Sequence, residues 1–286
     1  MAQHYFLNDL PNNIKSIVYL FADDTLLSKN IRSTADCETL NNDLKSLQKW
    51  EDDWLMSFNV SKCNILTITN KRKPILFDYQ LHDQSLKRVK SAKYLGVELT
   101  ENMKWDKHIA NISSKANKTS SFVHRNLKGC AVETQVKCFK SLARPILEYA
   151  SIVWDPFLKK DIDMLERVQK RAARRITNDY SQHSSATSIT RNIGLEKLEN
   201  RRKRNKAIMF HRIYQQKACI KMPDNIATKN RNTRGHMNRV IQPQARTNVY
   251  QHSFFPSASK LWNTLPNIIA ETQSETTFKS LINTYL

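Results

Sequence analysis

Asp23 and Asp24 stand side by side in IVYLFADDTLLSK, residues 17–29, where a run of β-formers reaches two carboxylates and climbs back out through Leu26 and Leu27. Two chemistries suit such a pair. A carboxylate in a turn accepts hydrogen bonds from nearby backbone N–H groups, and one Asp there needs no further account. Two adjacent like charges oppose each other's ionisation. A divalent cation removes that cost, and hard oxygen donors are what Mg²⁺ selects. The pair alone leaves both uses open.

The other chemistry-bearing residues are cations. Arg167, Lys170, Arg171, Arg174 and Arg175 fall at steps of three, four, seven and eight, which lines one helix face with positive charge. Leu165, Val168, Ala172 and Ile176 occupy a different face. Arg201, Arg202, Lys203 and Arg204, with Lys206, extend the field. Such a surface suits nucleic-acid phosphates, gripped without base readout; a solvated charged face is the competing reading. The whole chain carries 46 Lys+Arg against 26 Asp+Glu, a net charge of +20. That excess destabilises a compact fold by self-repulsion unless a polyanion is a regular partner. Nucleic acid fits best, and an anionic membrane surface comes second.

The elements that must position these groups follow from periodicity. Residues 14–29 alternate and carry Ile, Val, Tyr and Phe, which predicts a strand, a tight turn at 22–25 and a returning strand. Ser33-Thr34-Ala35-Asp36 matches a capping-box start. Leu40, Leu44, Leu47, Trp50 and Trp54 then make one apolar stripe on a helix ending near Phe58. Short β-prone pieces follow at 64–69, 75–79 and 93–99. From Trp105 the pattern turns helical, with Pro145 predicting a kink or an end. A further helix is expected over about 161–177, and the polar, Ser-rich 179–190 reads as a linker. Residues 222–250 are polar and poorly periodic, and SFFPSASKLWNTLPNII is apolar enough to dock. The predicted class is α+β: a partial antiparallel sheet with a helix over 1–100, a mostly helical region over 101–178, and a basic helical or irregular region over 179–286.

Composition excludes several classes. Four glycines and no G-x-G-x-x-G or Walker-type stretch argue against those nucleotide-binding loops. Five scattered cysteines, at 37, 63, 130, 138 and 219, read as reduced thiols with no disulfide-linked partner; Cys130 and Cys138 with His124 make only a weak metal idea. No apolar run approaches the roughly 18 residues of a membrane span, and the N-terminus lacks a signal-peptide layout. A soluble intracellular chain, nuclear or cytoplasmic, is expected.

Tyr19-Leu20-Phe21-Ala22-Asp23-Asp24 resembles the two-aspartate hairpin of reverse transcriptases, closest to the non-long-terminal-repeat (LINE-type, jockey-like) retrotransposons. Other segments match in that family's order: Phe6-Leu7-Asn8-Asp9-Leu10-Pro11 before the hairpin, Phe58-Asn59-Val60-Ser61-Lys62-Cys63 after it, then Lys93-Tyr94-Leu95-Gly96-Val97 with Trp105 and His108-Ile109. Arg144-Pro145-Ile146-Leu147-Glu148-Tyr149, Val153-Trp154-Asp155-Pro156, Leu165-Glu166 and Leu261-Trp262-Asn263-Thr264-Leu265-Pro266 resemble the helical region that follows.

The resemblance implies the second half of a polymerase palm, a thumb-like helical region and a C-terminal segment. It implies Mg²⁺, or Mn²⁺, at Asp23 and Asp24, with Asp23 facing the metals because neighbours on a strand point to opposite faces. It implies a catalytic role for Lys62 near the pyrophosphate leaving group, against a solvated turn lysine. Tyr94, Leu95 and Gly96 resemble the segment that grips the primer, against a buried strand with a glycine bulge. An RNA template and an RNA–DNA duplex are the implied partners. In that family the fingers, the first palm half and an endonuclease come earlier in the chain. This chain is therefore expected to be inactive alone, with another chain as a candidate source of the missing palm half. The alternative is a non-catalytic nucleic-acid-binding remnant. A half palm also exposes strand edges and apolar surface, so residues 1–100 are expected to be marginally stable.

Overall fold

The computed structural model describes residues 7–226 and 236–286. Phe6 of the first matched segment and part of the 222–250 stretch lie outside them. The chain divides into two compact units, residues 1–103 and 104–286.

The first unit opens with 3₁₀ turns at Leu7–Asn13, then β1 (Ile17–Phe21) and β2 (Asp24–Ser28). These pair antiparallel from Ile17↔Ser28 to Phe21↔Asp24, which leaves Ala22 and Asp23 as a two-residue loop inside the expected 22–25 turn. Helix α1 (Thr34–Trp54) starts at the expected capping box, with Asp36 accepting the N–H groups of Arg32 and Ser33 at 2.8 and 2.9 Å. It stops at Leu55, short of Phe58, where the backbone turns left-handed at φ 51°. Asp52 and Asp53 sit in its last turn with no basic residue, the wrong sign for a helix C-terminus.

The remaining strands form three more separate pairs. Strand β3 (Asn64–Leu66) lies parallel to β6 (Lys87–Val89), while β4 (Gln80–Leu81) with β5 (Gln84–Ser85) and β7 (Ser91–Tyr94) with β8 (Val97–Thr100) are antiparallel hairpins. Mixed helix and strand matches the α+β expectation. The single antiparallel sheet does not form, because strands of two to five residues are cut short by turns, at His82-Asp83 and Leu95-Gly96, whose residues all have positive φ.

The second unit is helical. Its elements are α2 (Asp106–Leu127), α3 (Val132–Cys138), a π-helical turn (Phe139–Ala143), α4 (Arg144–Glu148), α5 (Ser151–Trp154), α6 (Lys159–Thr177), α7 (Ala186–Asn192), α8 (Leu198–Tyr214), a 3₁₀ turn (Asp224–Ile226), α9 (Asn248–Gln251), α10 (Phe254–Asn263), α11 (Asn267–Ala270) and α12 (Glu275–Tyr285). The widened turn closes through Arg144 N–H to Phe139 O, just ahead of Pro145, which has no N–H to continue the normal ladder.

Among the described residues two apolar clusters organise this unit. Val136, Phe139 and Ala143 pack with Ala172, Ala173 and Ile176 of α6 and with Ile189 and Leu195. The segment 179–190, expected as a linker, instead contains most of α7, capped by Ser185 and docked through buried Ile189. The other cluster surrounds Trp262, which touches Phe210, Tyr214 and Phe278. Trp262 Nε1 donates to Asn238 O at 2.8 Å, and Asn263 exchanges hydrogen bonds with both backbone groups of Val240. The aromatic C-terminal segment thus docks on α8. That helix buries residues over more than half of its circumference, including Arg202 and His211. Among the described residues no helix is long and apolar enough to cross a membrane, and all five cysteines are free thiols.

Candidate functional site

Asp23 occupies the second position of the hairpin loop and Asp24 opens β2; both are exposed. Ala22 beside them adopts φ 51°, a left-handed conformation that costs a non-glycine residue energy. The hairpin is fixed at its base, not its tip. The carboxylate of Asp43, buried on α1, accepts the backbone N–H groups of Lys15 and Ser16 at 2.9 Å each, immediately before β1. A second buried acid of the same helix, Glu51, pairs with His82 at 2.7 Å and accepts the N–H of Phe58. Asp43 and Glu51 were legible as acids lying in register with the apolar stripe, Asp43 three residues from Leu40 and four from Leu47, and Glu51 four from Leu47. The β1 face carrying Ile17, Tyr19 and Phe21 is 58, 51 and 62% exposed.

The carboxylates at the tip meet water. Mg²⁺ retains several waters and takes one or two protein carboxylates, so the pair suits one hydrated ion. Two-metal chemistry needs more oxygen donors than two side chains give. Among the described residues no three His, Cys, Asp or Glu side chains converge. The residues present therefore do not fit a two-metal centre by themselves, and the idea of Cys130, Cys138 and His124 as ligands falls with the same observation.

The other residues singled out in this unit occupy separate elements. Lys62 is exposed at the end of a 3₁₀ turn (Val60–Lys62) that Asn59 caps by accepting the N–H of Ser61 at 3.1 Å. Tyr94 ends β7, where it pairs with Val97, and Leu95 and Gly96 form the two-residue turn at φ 44° and 82°. This is a tight hairpin in place of a bulged strand.

The cations of the second unit fall into two groups. On α8 the basic run is engaged in ion pairs. Arg201 grips both carboxylate oxygens of Glu148, which Arg144 also approaches at 3.8 Å. Burial, then the charge of Arg201 beside it, lowers Arg144 below the usual guanidinium value. Arg202 has a fully buried side chain and meets Asp155 at 2.8 Å, while Lys206 takes the other Asp155 oxygen at 2.7 Å. Lys203 pairs with Glu199 at 2.8 Å, and Arg204 pairs with Glu196. The expectation that Arg201, Arg202, Lys203 and Arg204 face phosphates is thus corrected for the buried Arg202 and weakened for its neighbours. Acids some 50 residues earlier in the chain occupy Arg201 and Arg202, and the nearby Glu199 and Glu196 occupy Lys203 and Arg204.

The α6 cations are spread over several uses. Arg174 clamps the carbonyls of Asp179, Ser181 and Ser184 at 3.2, 3.4 and 2.9 Å. Arg167 donates to Asp163 O one turn back at 3.2 Å. Arg175 donates to the Ser121 hydroxyl of α2 at 2.8 Å. Lys170 lines a cavity of about 610 Å³ with Glu166, Glu196 and Glu199. Burial there raises Glu166, opposed by the Glu199 N–H it accepts at 3.0 Å. Arg171 is exposed.

Comparison with known proteins gives a consistent set of likenesses. Residues 1–99 match a family model described as reverse transcriptase (RNA-dependent DNA polymerase). Over 169 residues the chain is 27% identical to an RNA-directed DNA polymerase from mobile element jockey of Drosophila melanogaster, covering 56% of this chain and 18% of that protein. It is 23% identical over 167 residues to a probable RNA-directed DNA polymerase from transposon X-element of the same species, covering 57 and 18%. A jockey RNA-directed DNA polymerase of Drosophila funebris is 23% identical over 185 residues, covering 60 and 20%. The chain thus spans about a fifth of the length of these curated relatives. No solved structure is a significant match.

Proposed function

We propose that this chain is part of a reverse transcriptase of a LINE-type, jockey-like mobile element: the second half of a palm, a thumb-like helical region and a basic C-terminal region. Its substrates are an RNA template and an RNA–DNA duplex. The observation that carries the reading is the exposed Asp23-Asp24 pair at the tip of a two-residue hairpin whose base Asp43 fixes. The family match over residues 1–99 supports it.

The chain's own residues do limited work in this reading. The hairpin presents two negative charges at a fixed place, and the second unit presents positive charge to a polyanion. The remaining oxygen donors and the nucleotide pocket lie outside the described residues, and the exposed face of Ile17, Tyr19 and Phe21 is where a second polypeptide supplying them would seat. The role of Lys62 and the primer grip at Tyr94, Leu95 and Gly96 belong to this proposal.

Primer extension on an RNA template with Mg²⁺ or Mn²⁺ tests it. The chain alone gives no product; supplemented with the upstream palm residues of a jockey-type polymerase it gives a product that Asp23→Asn abolishes. No product in the supplemented reaction, or one that survives Asp23→Asn, overturns the assignment. A non-catalytic nucleic-acid binder is the second reading, favoured by cations of the second unit that meet no acid among the described residues, and it predicts binding without extension under every condition.

A further inference from the structure

We infer that a cleft between α2 and α6 is a phosphate-binding groove for a nucleic-acid backbone, and that this groove, not the basic run at 201–204, is where the second unit holds its polyanion. The inference deepens the proposed function and rests on it for the nature of the ligand.

Four cations converge there. Lys118 and Arg125 come from α2, Arg171 and Arg175 from α6, and they line a cleft of about 590 Å³ with the polar side chains of Asn117 and Ser121. No carboxylate lines it. Spacing explains the convergence. Asn117, Ser121 and Arg125 recur every four residues along α2, and Arg171 and Arg175 are likewise four apart on α6, so each set projects from one helix face. The two helices pack together in the same unit, through contacts that include Arg175 and the Ser121 hydroxyl at 2.8 Å.

The contrast with α8 decides the matter. Arg201, Arg202, Lys203, Arg204 and Lys206 are each matched by an acid, and Arg202 is closed to solvent. Among the described residues the guanidinium groups of the cleft meet a neutral hydroxyl, that of Ser121, and no acid. Lys118, Arg125 and Arg171 are exposed, and among the described residues no acid pairs with them. Uncompensated like charges held this close repel one another, and a phosphate ligand removes that repulsion. Hydroxyl and amide donors beside the cations add hydrogen bonds to phosphate oxygen without reading a base. The groove runs lengthwise: residues 114–125 of α2 rise about 16 Å, enough to follow several phosphates of a strand.

The test is binding of the full chain to a fluorescent RNA–DNA duplex over a salt series. The wild type loses affinity steeply with salt, and Lys118→Gln with Arg171→Gln flattens the log–log slope by about one for each cation removed. Lys279→Gln, which breaks an exposed pair with Glu275, leaves the slope alone. As an independent measure on the unmutated protein, the duplex protects Lys118 from amine acylation and not Lys279. A steep wild-type slope that the cleft variants share, or acylation of Lys118 unaffected by the duplex, overturns the groove while leaving the proposed function standing. A wild type that ignores the duplex overturns both. Equal loss in Lys279→Gln reduces the effect to net charge and overturns the groove. Cleft-dependent binding to anionic phospholipid vesicles, with none to the duplex, assigns the cleft to a membrane and overturns it as a nucleic-acid groove.

Discussion

Asp43 holds Ser16 by its backbone: the buried carboxylate accepts the Ser16 N–H at 2.9 Å, and that of Lys15 at the same distance, so α1 sets where β1 begins. The two-stranded ribbon bearing Asp23 and Asp24 has no further strand beside it among the described residues. Its position depends on this anchor. Asp43→Ala strands two N–H groups and costs the first unit about 2–4 kcal/mol; Asp43→Asn costs less. Denaturant titration gives the loss, and hydrogen exchange shows residues 17–28 losing protection first. Unchanged protection in Asp43→Ala refutes the anchor.

The hairpin loop carries a removable strain. Ala22 sits at φ 51°, a conformation that costs an L-residue about 1–2 kcal/mol. Glycine escapes this but brings extra unfolded-state entropy of about 0.5–1 kcal/mol. Ala22→Gly is therefore expected to stabilise the first unit by up to about 1 kcal/mol. A measured destabilisation contradicts the turn geometry.

Asp155 neutralises two cations from α8. Removing it leaves the wholly buried Arg202 and the nearly buried Lys206 without their acid, a loss of about 3–5 kcal/mol to the second unit. Asp155→Asn, followed by calorimetry, is expected to lower the melting of that unit and leave the first unit's transition in place. A change under 1 kcal/mol rules out the buried triad.

Acid weakens the second unit through His211 and His236. Burial is the largest cause lowering both below the ordinary value of about 6.5. Each uses Nε2 on a carbonyl, Thr272 O at 2.8 Å and Trp262 O at 2.9 Å, and each has a buried Nδ1 without a partner among the described residues. The folded state thus prefers neutral rings. Their contribution is full above pH 6.5, where unfolded histidine is neutral too. It falls as the pH drops below 6.5, because the unfolded chain takes up protons first. The melting temperature of the second unit falls between pH 7.5 and 5.5, and His211→Gln lessens the fall. An identical pH dependence in wild type and variant excludes this account.

The local parts of the fold were legible in the sequence. The 22–25 turn, the Ser33–Asp36 cap and the helix near 161–177 each depend on residues within a few positions of one another. What escaped depends on distance along the chain. Arg201 and Arg202 look free in the sequence because their partners, Glu148 and Asp155, lie some 50 residues upstream. The Ser-rich 179–190 read as a linker because its polar composition hides a clamp supplied by Arg174. The convergence of Lys118 and Arg125 with Arg171 and Arg175 is hidden in the sequence because the charge pattern that matters runs between two helices and not along one.

The core around Trp262 closes late. Phe210 of α8 and Phe278 of α12 are both fully buried there, 68 positions apart along the chain. During synthesis, which runs from the N-terminus at about 5–20 residues per second, α8 waits some 3–14 s for its cover. Throughout that interval a nascent chain offers the apolar face of α8, with Ala207, Phe210 and Ile213, to any chaperone or neighbouring ribosome product, and a stop codon ahead of Phe278 would make the exposure permanent.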